Sequence, residues 1–286
     1  MRNSRKISAS AAAVAALAIG LTACGTSSDP SSKPEGAKAD TSKPLVVAAS
    51  PVPHADILNY VKNHLAAKAG LKLQVKEFTD YVLPNRATQT GQVDANFFQH
   101  KPYLDDFNKK NHTDLVPVVS VHLEPLGLYS KKDKDLKSVK SGQTVAVPND
   151  TTNEGRALKL LADNGLITLK SGVGSEASLS DIKDSKGLKF KELEAATLPR
   201  ALNEVDAAVI NGNYAIDAKL KPAKDALVLE KAAGNPYANL LVVKKGSEKD
   251  PRVEKLAKLL NSPQVKKFID DKYQGAVVPA FGAVKP

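Results

Sequence analysis

"TVAVPNDTTNEGRALKLL", residues 144–161, reads as a buried strand running straight into a helix. The run "QTVAVPN" is short and apolar at its centre, whereas Thr152 to Asn164 carries apolar residues at helical spacing and closes on Asn164-Gly165. Thr151 and Glu154 form the S/T-x-x-E signature of a helix start, which predicts a cap at Thr151. A strand followed at once by a helix is the unit of an α/β sheet, and ligands of such sheets bind where loops lead from strand ends into helix starts. The same stretch puts Arg156 just past the first turn, where a cation opposes the helix dipole.

The alternation extends in both directions. "LVVAA" (45–49), "LKLQVKEF" (71–78), "DANFF" (94–98) and "LVPVVSV" (115–121) read as strands. "HADILNYVKNHLAAKAG" (54–70) and "KPYLDDFNKKN" (101–111) read as helices, the second with Pro102 in its first turn. Together they predict an α/β lobe of mostly parallel strands. Pro125 and Gly127 interrupt the extended segment "HLEPLGLYSKK" (122–132), and a second series follows with strands at 143–149, 188–195 and 205–211 and a helical segment around Leu198 to Asn203. Two amphipathic helices, 250–261 and 262–273, are expected to return to the first lobe. The expected organisation is lobe 1 at 45–123, lobe 2 at 124–238, and a return crossover with carboxyl-terminal helices at 239–286.

Residues 1–23 read as an export signal: Arg2, Arg5 and Lys6 precede an alanine-rich apolar run that ends in small residues. The only cysteine, Cys24, follows at once, in an arrangement that resembles the lipobox of bacterial lipoproteins and implies lipidation there. One cysteine excludes an intramolecular disulfide and any Cys-Cys metal site. Residues 24–44 are Ser, Pro, Gly, Lys and Asp rich and read as a lipidated amino terminus and flexible tether. Loss of the signal takes the formal charge from +10 to +7, with lysines and acids interleaved, so no nucleic-acid face is expected. The chain contains no G-x-S-x-G elbow, H-E-x-x-H, P-loop or dinucleotide fingerprint, and it is read as a binding protein without a cofactor rather than an enzyme. Its five histidines include no i, i+4 pair, so they are expected at surfaces or helix ends and no metal site is assigned.

Only six of the 41 cationic residues are arginine. Arg156 has no acid three or four residues away, whereas Arg200 and Arg252 have Glu204 and Glu248. A tertiary ion pair and a ligand carboxylate therefore stand as equal readings for Arg156, with Arg86 as the competing candidate. Six of fourteen Phe and Tyr residues fall between 78 and 107, among them Tyr81, Phe98 and Tyr103. With His100 they can form the wall of a pocket for an apolar or sulfur-containing side chain. Asn211 and Asn239 border strands at what reads as the cleft end of the second lobe, where side-chain carbonyls can accept from an ammonium group.

Six ordered blocks carry a family resemblance: "DYVLPN" (80–85), "DANFFQHKPYL" (94–104), "VAVPNDTTNEGRAL" (145–158), "ELEAATLPRAL" (192–202), "AVINGNYA" (208–215) and "NPYANLLVV" (235–243). The chain resembles the methionine-binding, NlpA-type lipoproteins of bacterial ABC importers. The resemblance implies an α/β, two-lobed periplasmic-binding-protein fold, type II-like, with two interlobe crossovers and a ligand cleft. It implies capture of L- or D-methionine on the outer face of the cell membrane and delivery to an ABC permease with its ATPase. By the same resemblance Arg156 grips the ligand carboxylate, Asn211 and Asn239 orient the head group, and Tyr81, Phe98, His100 and Tyr103 surround the side chain. Glu124 in "HLEPLGLYS" is read as a hinge or surface residue ahead of the alternative, an acid that attracts the ligand ammonium. A methionine-containing dipeptide, another apolar amino acid and, more remotely, a metal ion are the alternative ligands.

Overall fold

Strands and helices alternate along residues 40–174 and 176–284, which a computed structural model describes. The expected signal segment, Cys24 and the tether up to residue 39 lie outside the described residues. Among those described, no helix is long and apolar enough to cross a membrane.

The first lobe is built on a six-stranded sheet in the order Val278–Gly282, Leu115–Leu123, Asn239–Lys244, Ala95–His100, Leu45–Ala49, Leu73–Glu77. Leu45–Ala49 pairs in parallel with both of its neighbours, but Asn239–Lys244 enters between Ala95–His100 and Leu115–Leu123 antiparallel to both. The expectation of mostly parallel strands is corrected accordingly. The returning chain contributes two strands as well as helices, Asn239–Lys244 and Val278–Gly282, both antiparallel to Leu115–Leu123. One face of this sheet is covered by Asp56–Val61, Pro251–Leu260 and Pro263–Tyr273, whose Ile57, Leu58, Leu256, Leu260, Val265 and Ile269 are fully buried against Val47, Phe97 and Leu241. The opposite face carries the helices Leu83–Gln89 and Lys101–Asn111 through Ala87 and Leu104. The first helical segment, read from the sequence as one helix, contains π turns at Pro51–Ala55 and Lys62–Ala66 and stops at Gly70 with φ +61°.

The second lobe has five strands in the order Ala226–Leu229, Gly127–Tyr129, Ala207–Ile210, Thr144–Pro148, Lys189–Leu193. Period-two alternation divides its core. Val145, Val147, Ala207 and Val209 face the helix Thr151–Asp163 through Ala157, Leu158 and Leu161, while Ala146, Ala208 and Ile210 face Leu198, Leu202 and Ala215. Each fully buried leucine on that helix contributes about 1.5–3 kcal/mol, which makes the opening stretch a main anchor of this lobe.

Thr151 is not the cap of that helix. Asp150 is: its carboxylate accepts from the Asn153 N–H at 3.0 Å. Glu154 turns away and accepts from the Leu179 N–H at 2.8 Å, so the expected reciprocal box does not form. An aspartate one residue upstream satisfies the Asn153 amide instead and adds a negative charge at the positive end of the helix dipole.

Candidate functional site

One cavity between the lobes is lined by all seven ligand-site candidates, Tyr81, Phe98, His100, Tyr103, Arg156, Asn211 and Asn239, together with Gln99, Glu124, Asn153, Gly212 and Asn213. Their positions follow from strand direction. Ala95–His100, Thr144–Pro148 and Ala207–Ile210 deliver Phe98 and His100, the Asp150-capped helix start, and Asn211 at their carboxyl ends. Asn239 opens a strand antiparallel to Ala95–His100 and pairs in register with His100, so it reaches the same end of the first sheet. The sequence reading had put Asn239 at the edge of the second lobe.

Alternation in Ala95–His100 sends the Phe97 ring into the main core and the Phe98 ring to the cavity. Phe98, Tyr81 and Tyr103 lie with ring centroids 5.7–6.0 Å apart. The Tyr103 hydroxyl donates to the Tyr81 carbonyl at 3.0 Å, and the Tyr81 hydroxyl donates across the cleft to Asn213 Oδ1 at 2.6 Å. The rings are thereby held in tilted and edge-to-face contact along the cavity.

Arg156 is 4 % exposed and does have a tertiary ion pair. Its Nε and Nη2 donate to the two oxygens of Glu230 at 2.9 and 2.5 Å, Nη2 also donates to the Glu124 carbonyl at 3.0 Å, and the guanidinium carbon lies 4.2 Å from the centroid of Tyr237. Among the described residues Nη1 has no hydrogen-bond partner. Burial raises the Glu230 carboxyl, but the charge and hydrogen bonds of Arg156 outweigh it, and the group sits below the usual carboxylate range. Ion pair and ligand contact are thus compatible: Glu230 occupies one edge of the fork and fixes its plane, and Nη1 is left over. Arg86 is exposed on Leu83–Gln89 and does not line the cavity. Of the pairs expected along helices, Arg252 instead holds Asp250 and Asp94, and Glu204 pairs with Lys191.

Of the five histidines, expected at surfaces or helix ends, His64 and His112 are exposed, while His54 and His100 stand at helix starts but are buried, as is His122 within a strand. His100 Nδ1 accepts from the Tyr103 N–H at 3.2 Å and its Nε2 faces Asn153 Oδ1 at 3.2 Å. Burial and the nearby Arg156 charge push its pKa down to about 3. His54 and His122 converge on Glu124 Oε1 at 3.3 and 2.8 Å, and burial foremost lowers them to about 4 and about 3. All three rings are neutral at physiological pH.

Glu124 lies in the crossover between Leu115–Leu123 and Gly127–Tyr129, as expected, but it is not a surface residue. It is 6 % exposed, lines the cavity, and burial raises its carboxyl in spite of the nearby Arg156 charge. Gly212 makes room for it, since a Cβ at that position would lie 2.7 Å from Glu124 Cβ. Glu124, Glu230, Tyr237 and Asn153, with the cavity-lining Gln99, Gly212 and Asn213, are the site residues that sequence reasoning missed or placed elsewhere. Only Glu124 left a sequence signal, as an acid inside a Pro- and Gly-broken crossover.

The lobes meet across this site through Tyr81 and Asn213, His100 and Asn153, and the Tyr214 hydroxyl, which donates to the Thr79 carbonyl at 3.1 Å. The arrangement can enclose a small solute carrying both charges, with an apolar tail against the rings.

Comparison with known proteins gives one picture. A family model described as NlpA lipoprotein matches residues 45–281. The methionine-binding lipoprotein MetQ of Bacillus subtilis (strain 168) is 45 % identical over 243 residues, 83 % of this chain and 88 % of that protein. The D-methionine-binding lipoprotein MetQ of Escherichia coli (strain K12) is 42 % identical over 217 residues, 75 % of this chain and 80 % of that one. Among solved structures, a nutrient binding protein from Burkholderia cenocepacia bound to methionine superposes with a TM-score of 0.80 at 45 % identity, covering 83 % of this chain and all of that one (100 %). The α/β, two-lobed periplasmic-binding-protein architecture is shared with these neighbours.

Proposed function

The chain belongs to the NlpA lipoprotein family, and from that premise we propose that it is the lipid-anchored solute-binding component of an ABC importer that captures methionine. The observation that carries this reading is the convergence of Tyr81, Phe98, His100, Tyr103, Arg156, Asn211 and Asn239 on one cavity between the lobes. An amino acid presents a carboxylate, an ammonium and a side chain. Arg156 Nη1 and buried amides meet the first two, and the ring edges of Tyr81, Phe98 and Tyr103 meet a thioether, each such contact contributing ~0.3–1.5 kcal/mol.

Residues 45–123 with 239–286 form the ligand-gripping aromatic lobe, and 124–238 form the lobe that carries Arg156. Division of the site between lobes makes closure depend on ligand, and the closed form is the one delivered to the permease and its ATPase. Cys24 carries the lipid after removal of residues 1–23 and holds the protein at the extracytoplasmic face of the membrane. The protein performs no turnover. Its neutral histidines and the Arg156–Glu230 pair serve recognition rather than proton transfer.

Calorimetric titration of protein stripped of carried-over ligand tests the reading. Methionine binds at one site per chain and leucine at least about tenfold more weakly, a difference of ~1.4 kcal/mol. Tight leucine binding with no response to methionine would defeat it. Replacement of Cys24 by serine releases the protein from the membrane fraction, whereas retention there would remove the anchor.

A further inference from the structure

Four polar side chains are buried together between the helix Leu83–Gln89 and the strand Ala95–His100: Asn85, Thr88, Asn96 and Gln99. Asn85 and Gln99 form a reciprocal amide pair, in which Asn85 Nδ2 donates to Gln99 Oε1 at 2.9 Å and Gln99 Nε2 donates to Asn85 Oδ1 at 2.5 Å. Gln99 Nε2 also donates to Asn96 Oδ1 at 2.8 Å, and Asn96 Nδ2 donates to Thr88 Oγ1 at 2.7 Å and to Asn85 Oδ1 at 3.1 Å. The Thr88 hydroxyl in turn donates to the Pro84 carbonyl at 2.8 Å. Resting on the reading of the cleft as an amino-acid site, we propose that this amide cluster is the positioning unit of the aromatic wall. It fixes Phe98 against Tyr81, and Asn85 acts on the ligand side chain only through the Phe98 ring.

Strand geometry shows why a clamp is needed at this point. Residues three apart on a regular strand point to opposite faces, yet Asn96 and Gln99 bond to each other and to the same helix. The register accounts for it: Gln99 pairs with Leu240 but Phe97 with Leu241, so Phe98 is the extra residue of a bulge. A bulged residue stands outside the ladder, and backbone pairing does not fix its direction. Asn96 and Gln99, on either side of it, are held by the cluster instead. At the other partner, the Asp80 carboxylate accepts from the N–H groups of Val82 and Leu83 at 2.7 and 2.8 Å and so ties Tyr81 to the start of the helix Leu83–Gln89. Asn85 thereby joins the segment that carries Tyr81 to the strand that carries Phe98, whose ring centroids stand 5.9 Å apart.

The cluster is also complete. Among the described residues the buried side-chain atoms without a partner belong to His54, His122, Tyr129 and Asn211, and none to these four. A hydrogen bond inside a protein replaces one made to water, so such a network adds little stability over an apolar filling of the same shape. What a fully paired network supplies is a single arrangement, since any other leaves a buried amide unpaired. Of the four residues only Gln99 lines the cavity, so Asn85 has no route to a ligand except through the ring that it positions.

A double-mutant cycle tests the assignment, with the full chain stripped of ligand and titrated calorimetrically with methionine. Asn85→Leu lowers methionine affinity about fivefold or more, and Phe98→Leu lowers it at least as much. The double variant loses no more than about twofold beyond Phe98→Leu alone, because both changes act on one ring. Losses that multiply, or an Asn85→Leu protein that binds as the wild type does, would overturn the assignment. A second measurement needs no variant to fold. The side-chain NH2 signals of Asn85, Asn96 and Gln99 in 15N spectra of the ligand-free wild-type chain are expected to exchange slowly with solvent and to stay so when methionine is added. Exchange as fast as that of surface amides until methionine arrives would make the cluster a consequence of binding and overturn the inference. Wild-type protein that binds no methionine ends the amino-acid reading and this inference together, whereas multiplying losses in a methionine-binding protein end only the inference.

Discussion

The two ends of the cleft recognise by different physics. At the aromatic end Tyr81, Phe98 and Tyr103 offer ring edges at centroid spacings of 5.7–6.0 Å, a non-directional surface that contributes in proportion to the area it covers. At the polar end Arg156, Glu124, Asn153, Asn211 and Asn239 are held by bonds of 2.5–3.3 Å, each of which specifies donor or acceptor. The aromatic end therefore sets how tightly a side chain is held, and the polar end decides whether the solute is an amino acid at all. Loss of area at the first weakens every ligand together; a misdirected donor at the second changes which ligand is chosen.

That contrast can be broken at either end. The largest effect is expected from Phe98→Ala, which removes a buried ring and costs about 3–5 kcal/mol of stability by thermal or denaturant unfolding. Methionine and leucine affinities then fall together, and a selective loss of one would contradict the division. Acid is next. The unfolded chain takes up protons on histidine below about pH 6.5, whereas folded His54 waits until about 4 and His100 and His122 until about 3. Their contribution is fully present above pH 6.5 and is lost as pH falls toward 3–4, at up to about 1.4 kcal/mol per pH unit for each ring. Glu124, whose folded carboxyl is raised, offsets part of this, and a melting temperature that stayed flat between pH 7 and 4.5 would contradict the buried neutral rings.

Arg156→Lys keeps the charge but loses the fork, and methionine affinity falls at least about tenfold in calorimetry. Unchanged affinity would reduce Arg156 to the structural partner of Glu230. The smallest expected change is Tyr81→Phe, which removes only the hydroxyl that donates to Asn213 and weakens binding by about 0.5–1.5 kcal/mol without altering the preference among side chains.

The same contrast explains what the sequence made legible. The aromatic wall comes from one stretch, 78–107, in which strand alternation separates Phe97 from Phe98, so local pattern was sufficient to find it. The strand and helix around Thr144–Asp163 were equally local, and only the cap moved, from Thr151 to Asp150. The polar end is assembled from residues far apart in the chain. Arg156 meets Glu230 across 74 residues, and Asn239 meets His54 across 185. No periodicity records such pairings, so Glu230 was missed and Glu124 was read as a crossover residue. Residues 239–286 were expected to return as a crossover with helices, but the insertion of Asn239–Lys244 between two earlier strands was not legible, since it is a tertiary event.

A crystal structure of the methionine complex tests the central claim most directly. The account predicts the carboxylate within hydrogen-bond reach of Arg156 Nη1, the ammonium among the polar side chains of the same cavity, and the thioether among Tyr81, Phe98 and Tyr103. Methionine seated with its head group reversed, or bound outside this cleft, would contradict it.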